Sequence, residues 1–386
     1  MMKTDNLPPR GFSKSEYESR TARAQRQMAA ARLDAILLTA AADISYFSGF
    51  ITRFWQSPSR PWFLLLPAEG KPVAVIPEIG YAGMAATWLD DIRCWPSPRP
   101  HDEGISLLSA LLREVGGRFG QIGMPLGAEN VVRMPMSDFL KLRESSPPIV
   151  DCGELLRDLR MLKSPAEVAK INHAARLSAA AFTSLPQDAA GDSRTEREYC
   201  RLLQTHMWQN GIDDIPYVAA ASGTDGYDTV IMPPGDKTPA AGEILMIDIG
   251  AVFDEYFCDF NRNYAIGHAT AAAESAHCAL YRALQAGAAA ARPGATPADI
   301  WQAMRAEIPT PGDIGRMGHG IGLQLTEPPS IAPDVHVPLQ CGMVLALEPS
   351  MTVDGGQLVR EENIVIVEDG AQWLGIPADE ELPVIQ

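Results

Sequence analysis

Residues 318–329 read GHGIGLQLTEPP and set His319 between two glycines in a chain that holds only seven histidines. A glycine on each side permits positive φ or a close approach of the backbone, a setting that suits a ligand imidazole. Acids inside apolar runs are the second anomaly: Asp248 in ILMIDIG, Asp259 in FCDFN, Glu348 at the end of MVLALEP, and Glu362 in LVREENIVIV. A carboxylate buried on a strand pays a desolvation cost unless something pairs with it. A salt bridge to Arg262 or another cation is one way to meet that cost. Four such acids brought together would repel one another or be forced to protonate, whereas two divalent cations would offset their charge. Oxygen ligands with a single imidazole suit Mn, Co, Fe or Zn better than a thiolate-seeking metal.

Strands must carry these acids. The segment EILMIDIGAVFDEYFCDFNRNYAIG reads as two strands joined by a tight connection around Phe253 and Asp254. Antiparallel pairing about that turn puts Asp248 and Asp259 opposite each other. Around this pair the spacing predicts helices over 165–185, 193–211, 270–292 and 297–308. Further strands are predicted near 215–222, 343–348 and 358–367, with glycine and proline punctuation between the elements. Upstream, helix and strand signals (EYESRTARAQRQMAAARL, DAILLT, WFLLLP, PVAVIP) alternate to about Asp151, which predicts an α/β domain. Ser164 as N-cap, Pro165 at the first helical position and Glu167 then open a long amphipathic helix. The domain boundary is placed near residue 160, dividing the chain into 1–160 and 161–386.

At 386 residues the chain exceeds one ordinary core, and 46% hydrophobic with 21% charged residues is the balance of a folded globular protein. A formal charge of −16 argues against nucleic acid as a partner, since such binding runs on clustered Lys and Arg. No apolar run is long enough to span a membrane, and the polar first residues lack a signal-peptide core, which points to a cytoplasmic protein. The six cysteines show no CxxC spacing, so neither a disulfide framework nor a thiolate zinc site is indicated.

Asp248, ten residues, Asp259, then GHGIGL, GMVLALEP and REEN together resemble the metal-binding signature of the pita-bread aminopeptidase, prolidase and creatinase family. The N-terminal half, with YFSGF after DAILLT and the LKSPAE linker, is similar to the creatinase-type domain of its Xaa-Pro members. The resemblance implies an α/β creatinase-type domain at 1–160 and an α+β pita-bread catalytic domain at 161–386. It implies two divalent metal ions (Mn, Co, Fe or Zn), with Asp248 chelating one, His319 and Glu348 holding the other, and Asp259 and Glu362 bridging. A hydroxide between the metals would be the nucleophile, Glu348 would pass a proton to the leaving group, and Arg262 would hold a carboxylate in place. A homodimer acting on a short peptide or other small molecule is implied as well. On the same grounds Arg53, Trp55, Arg60 and Trp62 are candidates for shaping specificity.

Two departures qualify the match. Family peptidases carry one histidine where this chain has Val230 and Ile231, and another directly before the glutamate where it has Thr326. Tyr227, Asp228 and Thr326 are candidates to supply replacement hydrogen bonds. The leading expectation is a metal-dependent hydrolase of Xaa-Pro peptidase type with weak turnover on ordinary Xaa-Pro dipeptides. The alternative is a creatinase-like C–N hydrolase or lyase of a small metabolite. The intact acid set argues against a non-catalytic binding module.

Overall fold

The computed structural model describes residues 7–310, 315–354 and 356–386. The chain divides into two compact units, one spanning Pro9–Arg160 and the other containing Met161–Gln386.

In the first unit α1 (Lys14–Ala31) starts where Ser13 accepts a hydrogen bond from the Glu16 amide. It leads into β1 (Ala35–Leu38) and α2 (Ala41–Ser48), which Gly49 ends in the left-handed conformation. Then come β2 (Phe63–Pro67), β3 (Val73–Pro77), α3 (Tyr81–Ala85), β4 (Asp91–Trp95), α4 (Ile105–Val115), β5 (Ile122–Met124), α5 (Met136–Ser145), β6 (Ile149–Asp151) and α6 (Gly153–Met161). The strands form one mixed sheet in the order β4-β3-β2-β1-β5-β6. Leu37, Phe63, Leu65 and Val75 bury their side chains against Leu108, Leu111 and Leu112 of α4, so the alternation read from the sequence yields the α/β layer it predicts.

The second unit opens with α7 (Pro165–Asp188), whose Ser164 and Glu167 form the reciprocal capping box. Then follow α8 (Glu196–Asn210), β7 (Asp214–Thr224), β8 (Glu243–Phe253), β9 (Tyr256–Ile266), α9 (Ala271–Ala290) and α10 (Pro297–Glu307). The remainder is strand: β10 (Gly318–Gly320), β11 (Val344–Leu347), β12 (Ser350–Val353), β13 (Gly356–Val359), β14 (Glu362–Val367), β15 (Gly370–Trp373) and β16 (Val384–Ile385). Two four-stranded sheets result, β16-β9-β8-β7 and β10-β11-β14-β15, with β12 and β13 as a separate hairpin. Helix α7 lies on β8 and β9, where Tyr256 donates to Glu167 (2.9 Å) and Tyr264 donates to the Phe182 carbonyl (2.8 Å).

Two local details depart from expectation, and both move site residues. The β8–β9 turn is Asp254-Glu255, with φ of 50° and 71°, a two-residue hairpin connection in which both central residues are left-handed. Asp248 therefore faces Asn261, and Asp259 faces Gly250. The two aspartates are diagonal neighbours on one face instead of direct partners. The strand expected at 358–367 is two strands interrupted at Arg360-Glu361, because β13 pairs with β12 while β14 pairs with β11.

Candidate metal centre

The flanking glycines of His319 answer to backbone crowding. Gly318 has φ +143°, and a Cβ there would lie 2.2 Å from the Ala346 carbonyl oxygen. A Cβ on Gly320 would lie 2.3 Å from the Pro328 oxygen. Only glycine on both sides lets β10 slot between β11 and the following loop, and this fixes the imidazole. His319 is buried, its Nδ1 is 3.0 Å from the Gly320 carbonyl, and its Nε2 points at acids. That nitrogen is 3.5 Å from Asp259 Oδ2, 3.9 Å from Glu348 Oε1 and 4.0 Å from Glu361 Oε1. Asp259, His319 and Glu361 each place one ligand atom within 4.8 Å of the others.

Glu361 thus stands where the sequence put Glu362. Neighbouring residues of an extended chain point to opposite sides. Asp259 and Asn261 share the face of β9 that carries the cluster, while Phe260 and Arg262 share the other. Glu362 goes to that other side: its carboxylate takes Arg262 Nη2 at 3.0 Å and the Ala378 amide at 2.8 Å. Arg262 also donates to the carbonyls of Asn261 and Glu361, at 3.0 and 2.8 Å, and packs over Phe260. It does hold a carboxylate, as expected, but from behind the sheet and away from the cluster. Asn363 completes the run by clamping the Asp259 backbone, accepting from its amide at 3.0 Å and donating to its carbonyl.

Electrostatics mark this as a place built for positive charge. Burial, then repulsion from neighbouring acids, pushes Asp248, Asp259 and Glu361 well above the usual carboxylate range. Burial pushes Glu348 up to about 7, opposed by Arg316, whose Nε lies 3.4 Å from its Oε1. Burial likewise holds His319 down to about 4, so the imidazole is neutral and free to ligate at ordinary pH. Asp248 Oδ1 and Glu361 Oε1 are buried without a hydrogen-bond partner. Orphaned buried oxygens of this kind are unusual in folded proteins. Oxygen donors with one imidazole, two of the oxygens unpartnered, fit a hard or borderline divalent cation.

The remaining expected residues do not gather here. Tyr227 is fully buried in the second unit's core, its hydroxyl donating to Asn263 Oδ1 at 3.1 Å and accepting from the Val359 amide at 2.7 Å, so it is a structural tie and has no face for substrate. Asp228 and Thr326 are exposed. Thr326 points outward because its neighbour Glu327 turns inward to Lys163, 3.2 Å away in a buried pair. In the first unit Trp62 is a core residue, packed with Trp55 and Phe50 at 5.5 and 5.2 Å between ring centres, which removes it as a specificity contact. Trp55 is half-buried in the same cluster, Arg53 begins an exposed single turn, and Arg60 lies over Phe54 at 5.6 Å.

One residue the sequence reading passed over borders the cluster. Tyr217 on β7 pairs with Gly250, and two residues on Ala219 pairs with Asp248, so the phenol is on the acid-bearing face. Burial and the charges of Asp248, Asp259, Glu361 and Glu348 together push its ionisation far up. The signal was a bulky polar-tipped residue opening the small-residue strand IPYVAAAS.

Residues 169–369 match the family described as metallopeptidase family M24, and residues 20–162 match the creatinase/prolidase N-terminal domain. A probable dipeptidase PepE from Mycobacterium tuberculosis is 29% identical over 94% of this chain and 95% of its own length. An Xaa-Pro dipeptidase from Lactobacillus delbrueckii subsp. lactis is 26% identical over 88% and 91%. Among solved structures, dipeptidase PepE from Mycobacterium ulcerans superposes with a TM-score of 0.81 at 26% identity, covering 97% of this chain and 99% of that one. A prolidase from Thermococcus sibiricus shares the fold at a TM-score of 0.84 and 21% identity, over 96% and 100%. Clustered buried acids around a neutral imidazole are what a metal-dependent hydrolase requires, and the chain belongs to metallopeptidase family M24.

Proposed function

We propose that this protein is a dinuclear metal-dependent dipeptidase of Xaa-Pro type, with Asp248, Asp259, His319, Glu348 and Glu361 as the metal ligands. The observation that carries this reading is the cluster of Asp259, His319 and Glu361, with the Asp248 and Glu348 charges near enough to perturb them. The relatives described above bear dipeptidase names, which favours peptide hydrolysis over elimination or hydrolysis of a small C–N metabolite.

Bound divalent cations would supply charge to offset these acids and would make water nucleophilic at neutral pH. This chain's residues do the rest. Glu348, with its carboxyl near 7, is suited to accept a proton and pass it to the departing amine. Arg316 restrains that carboxylate from the more exposed side. Arg262 and Glu362 lock the backbone that presents Glu361, so its oxygen stays aimed at the cluster.

Mn, Co, Fe or Zn as the working metal, a homodimer and a cytoplasmic location belong to the same proposal. Among the described residues no helix is long and apolar enough to cross a membrane. The test is elemental analysis of purified protein together with a panel of Xaa-Pro and other dipeptides. Two ions per chain with metal-dependent dipeptide cleavage supports the reading. Protein that binds no divalent ion, or binds two and cleaves no dipeptide, overturns it.

A further inference from the structure

The two places where family peptidases carry imidazoles, the Val230–Ile231 stretch and Thr326, hold no group able to replace them. Ile231 is an exposed hydrocarbon, and Thr326 is turned outward by the inward Glu327. Tyr217 is on the acid-bearing face of β7. Its hydroxyl is 3.3 Å from the Val230 carbonyl. Its cross-strand partner Gly250 has no Cβ, and the space a Cβ would take is filled by Leu325, whose Cδ1 would be only 2.4 Å from it. Leu325 immediately precedes Thr326, so one of the two places bonds the phenol oxygen and the other reaches the glycine paired with Tyr217. Ala219, on the same face of β7 as Tyr217, pairs directly with Asp248.

We propose that Tyr217 is a substrate-binding residue whose phenol takes over hydrogen bonding to the substrate carbonyl from the two absent imidazoles. This rests on the dipeptidase reading above. The bond to Val230 is long for an O–H donor, and rotation about the C–O bond redirects the proton into the site without moving the ring. The phenol O–H is a donor that can serve an oxygen gaining negative charge during attack. It offers one donor where the family pattern has two, which fits a slower enzyme or one with altered substrate preference.

Tyr217→Phe removes the hydroxyl and keeps the ring. In metal-loaded enzyme the expected result is a fall of about 10–100-fold in kcat/KM for Ala-Pro, carried mainly by kcat. A phosphinic dipeptide analogue, tetrahedral at the scissile position, should bind the variant at least about tenfold more weakly by calorimetry, with metal content and melting temperature unchanged. Wild-type kcat/KM and analogue affinity in the variant, with the parent enzyme active, overturn the role of Tyr217 alone. A parent enzyme that loads metal yet cleaves no dipeptide overturns the dipeptidase reading, and this role falls with it.

Discussion

Protein stripped of divalent cations and melted across pH 5–8, beside the reloaded protein, isolates the acid cluster from every other titrating group. Glu348 has its folded value raised from 4.5 to about 7 by burial. A raised carboxyl contributes stability that is fully present below the unfolded value and is lost as pH rises through the folded one. At about 1.4 kcal/mol per unit the rise amounts to about 3 kcal/mol, lost between about pH 4.5 and 7. Asp248, Asp259 and Glu361 are displaced in the same direction and add to the loss. His277 and His319 run the other way: held down to about 3 and about 4, by burial first, each adds stability to the folded state as pH rises toward 6.5. His277 lies outside the cluster, and above about pH 5 the folded His319 is neutral with or without metal, so both contributions are common to the two forms and cancel in the difference. Cations restore what the acids lose, since they bind the ionised form and compete with protons. Differential scanning calorimetry should therefore show the gap in melting temperature between reloaded and stripped protein widening with pH. For a domain of this size about 3 kcal/mol corresponds to about 6–12 °C. A gap that stays constant from pH 5 to 8, or narrows, would mean that these carboxyls do not meet the metal.

The two glutamates of REEN should separate cleanly. Glu361→Ala is expected to lose at least one bound ion by mass spectrometry while melting close to the parent protein in its stripped form. Glu362→Ala should keep the ligand cluster but leave Arg262 buried without its carboxylate, costing about 3–5 kcal/mol in denaturant titration. Reconstitution with Mn or Co should saturate at about two ions per chain, and an anomalous-scattering map should place them about 3.5–4 Å apart. Glu348→Ala should abolish dipeptide turnover with the circular dichroism spectrum unchanged. Ala-Pro and Gly-Pro should be cleaved by the parent enzyme below about 10 per second, the median for enzymes, and faster rates would show that the absent imidazoles cost nothing.

Most of the elements were legible because their patterns are strong: a capped helix start at Ser164, apolar strand runs, and glycines around one histidine. The identity of the fourth acid was not. Both glutamates of REEN sit next to the same apolar run, and motif order alone favoured Glu362. Which one faces the cluster depends on where β13 ends and β14 begins, a division set by their pairing with two different strands, β12 and β11. The Asp248–Asp259 relation was off by two residues for a similar reason. A turn centred on Asp254-Glu255 instead of Phe253-Asp254 shifts every cross-strand partner by two while preserving the face, so the pattern of inward residues could not reveal the error. Tyr227 and Trp62 were read as functional because polar-tipped aromatics suit binding sites. Their burial is a tertiary fact that spacing does not carry. Tyr217 stands out in the sequence only as the bulky, polar-tipped residue ahead of the small side chains of VAAAS, and its place beside the acids follows from the β7–β8 register.

The β8–β9 hairpin also sets the order in which this centre can be assembled. Asp248 and Asp259 are joined by a two-residue turn, and the ends of such a short loop meet at small entropic cost. His319 on β10, Glu348 just after β11 and Glu361 just before β14 arrive from far along the chain, and the pairing of those strands waits for much more polypeptide. During synthesis the two aspartates can thus stand side by side while the imidazole and both glutamates are still inside the ribosome or unfolded. Two like charges held together that early oppose the hairpin that holds them. A divalent ion held by both aspartates would offset that repulsion.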